Sequence, residues 1–160
     1  TEQGFTVQRR YEALNPKEKD HVTLLPNGSY RIRAGTDVRV QLTVVVPTRA
    51  HYVVVDDPLP GGFEPQNPAF RTTSSTHQQA RNRRGGGWRW YRWWQWSHIE
   101  MRDDRVLLFA DRLWAGVYSH SYVARATSLG RFVVPPARAE EMYAPETFGR
   151  NATTFVEIVE

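Results

Sequence analysis

The amino-acid sequence predicts an all-β domain, an antiparallel β-sandwich. Apolar residues recur mostly at every second position, which is the period of a half-buried strand and not of a helix. The apolar set contains 7 Phe, 7 Tyr and 6 Trp against 2 Met, and aromatic residues suit a pleated surface. Short apolar runs alternate with turn residues, as they do in sandwiches and barrels.

Ten segments with the period-two pattern are predicted to be strands. In chain order they are Phe5–Tyr11, His21–Leu25, Tyr30–Arg33, Asp37–Val46, His51–Val55, Trp88–Trp96, Val106–Phe109, Gly116–Thr127, Arg131–Val134 and Thr153–Val159. Asn27-Gly28 lies between the second and third of these segments. The pair favours a hairpin turn that requires a positive φ, so the sequence predicts a tight hairpin there.

Two segments depart from the strand pattern. Residues 66–87 are rich in Gly, Ser, Thr, Asn and Gln, and we expect a flexible loop because this composition cannot fill a core. Pro135–Pro145 holds good helix formers between prolines, which predicts one short helical insert. Met142 and Tyr143 are expected to anchor this insert on the sandwich, since so short a helix needs tertiary packing.

The bulk composition narrows the class of protein. A length of 160 residues and an apolar content of 40% fit a single domain spanning residues 1–160. The absence of Cys excludes a disulfide scaffold and a thiol nucleophile. No apolar run reaches the length of a membrane span. The chain begins at Thr1 with neither Met nor a leader, and we interpret this start as a cut or processed end.

The net charge of +4 is concentrated in one segment. Residues 65–99 contain six Arg and no Asp or Glu, so the remainder of the chain is mildly acidic. A nucleic-acid partner is therefore not expected, because only this one segment could bind anions.

The tryptophan-rich segment Trp88–Trp96 lies within this basic stretch and has aromatic residues on both faces of a strand. One face can line the core. The other is a candidate partner-binding surface, because aromatic and Arg side chains are enriched at interface hot spots and also stack on sugars and bases. Its proposed contact residues are Arg83, Arg84, Arg89, Tyr91 and Trp93.

No pattern in the sequence supports catalysis, a metal site or a cofactor site. His98-Ile99-Glu100 lacks the cysteines of a zinc deaminase and is interpreted as surface or turn. Arg102-Asp103-Asp104-Arg105 pairs each carboxylate with an arginine and is predicted to be a turn held by ion pairs and hydrogen bonds. Asp56-Asp57-Pro58 is interpreted as a strand end followed by a turn. His120 is expected to be a satisfied strand histidine. We therefore predict that the chain is not an enzyme.

An ordered set of phrases resembles the C-terminal domain of bacterial alpha-2-macroglobulins. In chain order these are VDDPLPGGFE at residues 55–64, RDDR at 102–105, YVARA at 122–126, GRFVVPPA at 130–137, EEMYAPE at 140–146, and Gly149-Arg150. The resemblance spans roughly Ala34 to Glu160. Each phrase is weak alone, but the ordered set is specific.

The resemblance implies a β-sandwich of macroglobulin type within a large periplasmic or cell-envelope protein, which could be membrane-anchored and which traps proteases. In that family the trapping chemistry belongs to other domains, a bait region and in some members a thioester. The chain is then expected to be a structural and interaction domain. Its partners would be neighbouring domains, other envelope proteins and, through the parent, target proteases. The rival hypothesis is a module that binds carbohydrate or cell wall by stacking tryptophan on glycan rings.

Overall fold

A computed structural model of the chain describes residues 4–66 and 96–160, and it confirms the all-β prediction. The described residues form thirteen strands and one short 3₁₀ helix, Pro16–His21. The strands are β1 Thr6–Ala13, β2 Val22–Leu24, β3 Tyr30–Arg33, β4 Asp37–Val46, β5 Ala50–Pro58, β6 Phe63–Pro65, β7 His98–Met101, β8 Arg105–Leu113, β9 Gly116–Ala126, β10 Gly130–Val134, β11 Arg138–Glu141, β12 Ala144–Arg150 and β13 Thr154–Val159.

The described strands lie in three sheets. One has the order β1-β4-β9-β6, the second β10-β13-β3-β2 and the third β12-β11-β5-β8-β7. Neighbouring strands run antiparallel in the first and third sheets. In the second sheet the pair β13–β3 is parallel. The architecture is thus largely, though not wholly, antiparallel.

Strand β4 shows why the first sheet forms. Every second residue of β4 is buried, from Val38 to Val46, while the residues between them are half-exposed. This alternation matches the pleat of a strand with one face on a core. Burying a Val or Leu side chain contributes about 1.5–3 kcal/mol, so the buried face of β4 fixes the register with β1 and β9.

The third sheet supplies the opposite layer of the core. Val53 and Val55 on β5 and Val106 and Leu108 on β8 are all fully buried. They belong to one continuous apolar cluster with the buried residues of β1, β4 and β9. The two layers therefore enclose a shared core, as expected for a sandwich.

The loop before β6 contains two adjacent glycines, Gly61 and Gly62, at positions where a larger side chain would meet the Phe132 ring. A Cβ at Gly62 would lie 2.5 Å from Cε2 of Phe132, and one at Gly61 would lie 3.3 Å from Cδ1 of the same ring. Gly61 and Gly62 are the central residues of a tight turn in which Phe63 N donates to Pro60 O at 3.0 Å. The glycines thus let β10 pack its Phe132 ring against this loop.

The predicted hairpin at Asn27-Gly28 is confirmed. Gly28 has φ of 84°, and β2 and β3 pair antiparallel on either side of it. Asn27 Oδ1 accepts a hydrogen bond from Ser29 N at 3.0 Å. This is the side-chain-to-backbone bond that makes asparagine a favoured turn residue.

The predicted helical insert at Pro135–Pro145 is wrong. The segment contains β11 and the start of β12, joined by a turn at Met142 and Tyr143. Strand β11 lies between β5 and β12 and pairs with both. Two ladders of backbone hydrogen bonds and the buried Ala139 side chain outweigh the helix propensity of Ala, Arg and Glu, which is a weak preference of a few tenths of a kcal/mol per residue.

Most of the predicted strands lie close to those found, and β3 and β4 have the predicted bounds. The strands β6, β7, β11 and β12 were missed. In the predicted strand Trp88–Trp96 and the predicted loop 66–87, only Trp96 and Gln66 lie within the described residues. Those two predictions therefore stay predictions.

Candidate functional site

The predicted contact residues Arg83, Arg84, Arg89, Tyr91 and Trp93 lie outside the described residues. Their role stays a prediction. Trp96, the last residue of the same segment, is partly buried against the core. Its side chain therefore serves packing, as expected for one face of that segment.

A buried ion pair joins the two layers of the sandwich. Arg9 on β1 donates from Nη1 to Oδ1 of Asp57 on β5 at 2.5 Å, and Nη2 donates to the carbonyl oxygen of Pro135 at 2.8 Å. Tyr122 on β9 donates its hydroxyl hydrogen to the other carboxylate oxygen of Asp57. The side chains of Arg9 and Asp57 are 1% and 0% exposed. Asp57 thus accepts hydrogen bonds from β1 and β9, the two strands that flank β4 in the first sheet.

Burial dominates the electrostatics of this cluster. Desolvation raises the pKa of Asp57, while the Arg9 guanidinium and the Tyr122 hydroxyl act against that rise. Desolvation also raises the pKa values of Tyr11 and Tyr122 well above the usual range of a phenol. For Arg9, desolvation acts to lower the pKa, but Tyr11 and Asp57 outweigh it and the pKa is raised. Arg9 therefore stays protonated at physiological pH.

The cluster is structural, because its charged atoms are closed off from solvent. Its buried charges are paired with each other and with backbone oxygen, as buried charges must be. The interpretation of Asp56-Asp57-Pro58 as a strand end followed by a turn is confirmed, since β5 ends at Pro58 and a turn at Gly61 and Gly62 follows. The complete burial of Asp57 was not predicted. The sequence did hold a signal: Arg9 shares one face of β1 with the buried Val7 and Tyr11, and Asp57 occupies a buried position of β5.

A second feature is an exposed surface formed by Tyr52, Met142 and Tyr143, here called the tyrosine surface. Met142 and Tyr143 form the turn between β11 and β12, and Met142 N donates to Tyr52 O at 2.9 Å. The rings of Tyr52 and Tyr143 meet edge to face, with centroids 5.2 Å apart and planes at 88°. Such a contact orients both rings although they face solvent.

The expectation that Met142 and Tyr143 anchor the segment by burial was wrong. Tyr143 is 82% exposed, and Met142 and Tyr52 are 43% and 48% exposed. The segment is held instead by its backbone pairing with β5. The three side chains are free to contact another molecule or domain.

Tyr52 has an unusual backbone. Its φ is 52°, and it is the one non-glycine residue with positive φ among the described residues. A left-handed conformation costs an L-residue about 1–2 kcal/mol. Such strain concentrates at functional sites, which sequence patterns do not reveal because tyrosine has no preference for this conformation.

The segment Arg102-Asp103-Asp104-Arg105 forms a turn, as the sequence predicts. Arg102 N donates to Arg105 O at 2.8 Å between β7 and β8. Arg105 is paired with Asp56 at 3.0 Å and with Asp104 at 3.4 Å. Asp104 and Asp56 are thus occupied by structural contacts with Arg105.

Within residues 4–66 and 96–160, no group of His, Asp and Glu side chains is arranged to hold a metal ion. None of the helices in the same ranges has the length and apolar character needed to cross a bilayer.

The chain matches the family model of the bacterial alpha-2-macroglobulin MG10 domain over residues 4–146. It is 33% identical over 155 residues to an alpha-2-macroglobulin homolog of Nostoc sp., covering 93% of this chain and 7% of that protein.

Solved structures give the same result. A fragment of native Escherichia coli alpha-2-macroglobulin, from domain MG7 to the C-terminus, superimposes with a TM-score of 0.72 at 25% identity, covering 100% of this chain and 24% of that one. The trypsin-activated Escherichia coli protein gives 0.67 at 25% identity, covering 98% and 10%. The chain therefore spans a small part of the proteins it matches.

Proposed function

The chain belongs to the bacterial alpha-2-macroglobulin family, and we propose that it serves there as a non-catalytic MG10-type domain that packs against neighbouring domains of a longer protein. Its task in this proposal is mechanical: it presents a rigid, oriented contact surface to another domain. The tyrosine surface is the observation that carries the proposal.

The tyrosine surface has the composition of an interface centre. Tyrosine and methionine are enriched at the centres of interfaces. The Tyr143 ring is already oriented by its contact with Tyr52, so less rotamer freedom is lost on association. An 82% exposed tyrosine at the tip of a hairpin can reach into a pocket of a facing domain.

The strained backbone of Tyr52 supports the same role. A glycine at this position would adopt φ of 52° without a steric penalty, yet the chain has tyrosine there. The ring therefore brings a benefit that offsets this strain, of which the isolated domain shows only the edge-to-face contact with Tyr143. Contact with a partner is the benefit that fits an exposed aromatic side chain.

Neighbouring domains are the partner of first choice because of chain length. The match with this chain covers 7% of the length of the Nostoc relative and 24% of the length of the Escherichia coli fragment. A domain that forms so small a share of its relatives has many surfaces to meet within one polypeptide. Inter-domain contacts of this kind use mixed apolar and polar surfaces of modest size.

The wider role follows from the family. We infer that the longer protein traps or inhibits proteases, that this domain lies at its C-terminal end, and that cleavage elsewhere repositions the domains. The Escherichia coli relative activated by trypsin supports this reading. A periplasmic or cell-envelope location, with other envelope proteins as further partners, belongs to the same proposal.

The test uses the longer protein from the same gene, expressed without this domain, and the 160-residue chain added separately. Binding of the two is measured by calorimetry. The variant Tyr143→Ser should weaken association by about tenfold or more, as expected for an aromatic hot spot, while the free energy of unfolding of the chain stays nearly unchanged.

The matched control is Val133→Ser, because Val133 is 55% exposed and lies on β10 in a different sheet. It should bind like the wild type. Equal affinities for wild type and Tyr143→Ser would show that the tyrosine surface is not the contact and would remove the support for this proposal.

A further inference from the structure

A second exposed cluster lies in two adjacent turns of the sandwich. Trp114 is in the turn between β8 and β9, and Arg49 is in the turn between β4 and β5. The guanidinium carbons of Arg49 and Arg112 lie over the Trp114 ring, 5.4 Å and 5.7 Å from its centroid. We call Arg49, Arg112 and Trp114 the tryptophan cluster. Trp114 is 59% exposed and so faces solvent in spite of both contacts.

The cluster is pre-organised. The hydroxyl of Tyr118 donates to the carbonyl oxygen of Trp114 at 2.6 Å and holds the turn. The buried residues Ala50 and Leu113 pair beneath it, at the start of β5 and the end of β8. Two cations over one indole limit the rotamers of all three side chains. Val117, at the start of β9 three residues after Trp114, is 51% exposed.

The arginines of this cluster differ from the other aromatic-stacked arginines of the described chain in their charge balance. Arg138 lies over Phe148 and pairs with Glu140 at 3.1 Å, and Arg131 over Phe155 stands directly opposite Glu157. Arg49 and Arg112 form no ion pair with any carboxylate in the described ranges, and Asp111 is not bonded to Arg112. His51, opposite Arg112 on β5, adds a third basic group.

We propose that the tryptophan cluster is a docking site for an acidic polypeptide segment, separate from the tyrosine surface. Two uncompensated guanidinium groups match carboxylates, which they bind through paired N–H donors. The indole N–H is a further donor, and the exposed part of the indole accommodates an aliphatic side chain next to the acid. Sugar or base stacking fits less well, because two guanidinium groups lie over the ring where a sugar or base would stack.

The experiment uses the ¹⁵N-labelled 160-residue chain and follows the indole N–H signal of Trp114 by NMR, assigned from its loss in Trp114→Phe. The probe is a short capped peptide of alternating glutamate and leucine, and its match replaces every glutamate by glutamine. The glutamate peptide is expected to move the Trp114 signal in a saturable way, and the glutamine peptide is not.

Arg49→Glu combined with Arg112→Glu should weaken this binding by about tenfold or more, since like charges then face each other. Arg131→Glu is the matched control, because it removes an arginine from another stacked pair, and it should bind like the wild type. The unchanged remainder of the spectrum shows that each variant is folded. If the double variant unfolds, Arg49→Gln alone, at an exposed turn position, serves in its place and should lower affinity measurably.

Three outcomes overturn the proposal: no movement of the Trp114 signal at millimolar peptide, equal movement with the glutamine peptide, or equal movement with a thymidine oligonucleotide. The last would identify a general anion site and not a site for acidic polypeptide. None of these outcomes bears on the tyrosine surface, so the two proposals fail independently.

Discussion

Arg9 and Asp57 form an ion pair between the two layers of the sandwich, with 2.5 Å between Nη1 and Oδ1. Removing two charges from water costs several kcal/mol for each ion, and the pair offsets this only because further hydrogen bonds satisfy the remaining atoms. Tyr122 and the carbonyl of Pro135 supply those bonds. The cluster therefore fixes how β1, β5 and β9 meet, while its net contribution to stability is small.

Breaking one side of this pair is predicted to be severe. Asp57→Ala leaves the Arg9 guanidinium buried without its counter-charge, so the free energy of unfolding should fall by about 3–5 kcal/mol. Urea unfolding followed by circular dichroism measures it. Glu157→Ala is the control, because its pair with Arg31 is exposed, and it should cost about 1 kcal/mol or less.

Replacing both charges is predicted to be milder than removing one. The double variant Arg9→Met/Asp57→Leu should recover a large part of the stability lost in Asp57→Ala, because no uncompensated charge then stays buried. A double variant as unstable as the sum of its single changes would contradict the view that the loss comes from an orphaned charge.

Tyr122→Phe tests the third member of the cluster. The change removes a buried hydroxyl and leaves an oxygen of Asp57 without its donor, which should cost about 1–3 kcal/mol in the free energy of unfolding. Tyr30→Phe is the comparison, since Tyr30 is half-buried and its hydroxyl has no hydrogen-bond partner in the described part of the chain. Similar small losses for both would show that the bond to Asp57 adds little.

The sequence predicts those strands whose pattern is local, and it fails for strands that form only by pairing with a distant part of the chain. Strands β3 and β4 were predicted with their bounds because their alternation is local and uninterrupted. Strand β11 was missed because its residues favour a helix, and only its pairing with β5, far away in the sequence, makes it a strand. Non-local pairing of this kind overrides propensity and cannot be read from a single window.

The features of the candidate site could likewise be predicted only in part from the sequence. Met142 and Tyr143 were selected from the sequence, but as a buried anchor, whereas the hairpin exposes them. Arg9 and Asp57 are 48 residues apart in the sequence. The only sequence signal that could have linked them is that both lie on the core-facing side of an alternating strand. The positive φ of Tyr52 leaves no pattern at all, because tyrosine has no preference for this conformation.

His120 is predicted to make stability depend on pH. It faces the core, since its cross-strand partner Leu42 is buried, and burial lowers its pKa to about 4 from the usual 6.5. Between these values the unfolded chain binds a proton that the folded chain does not. The free energy of unfolding should therefore fall as pH drops through this window, by up to about 1.4 kcal/mol per pH unit.

The variant His120→Gln isolates this effect, because it keeps a polar side chain that does not titrate. Urea unfolding of both proteins at several pH values gives the difference in their unfolding free energies. We expect wild type to lose stability relative to His120→Gln from about pH 6.5 downward. Parallel curves would mean that His120 is protonated as easily in the folded chain as in the unfolded one.

Two glycine-to-alanine substitutions, at Gly28 and Gly149, are predicted to destabilise the chain for different physical reasons. At Gly28 φ is 84° and a Cβ would meet nothing within 4 Å, so Gly28→Ala adds only backbone strain, about 1–2 kcal/mol. At Gly149 a Cβ would lie 1.9 Å from the carbonyl oxygen of Phe5, and backbone cannot move aside cheaply. Gly149→Ala should destabilise the chain by roughly 3 kcal/mol or more, as overpacking against a rigid wall does. Thermal unfolding ranks the two, and a milder Gly149→Ala would show that β1 moves freely there.

The last prediction separates the ring of Tyr52 from its backbone. Tyr52→Gly and Tyr52→Ala remove the same aromatic contact with Tyr143, but only glycine adopts a φ of 52° without strain. Relief of about 1–2 kcal/mol of strain outweighs the roughly 0.5–1 kcal/mol of extra chain entropy that glycine loses on folding. The glycine variant should therefore be more stable than the alanine variant, by a difference that urea unfolding resolves. A glycine variant less stable than the alanine variant would mean that the left-handed backbone is not strained, and the argument that tyrosine is kept there for contact would lose its basis.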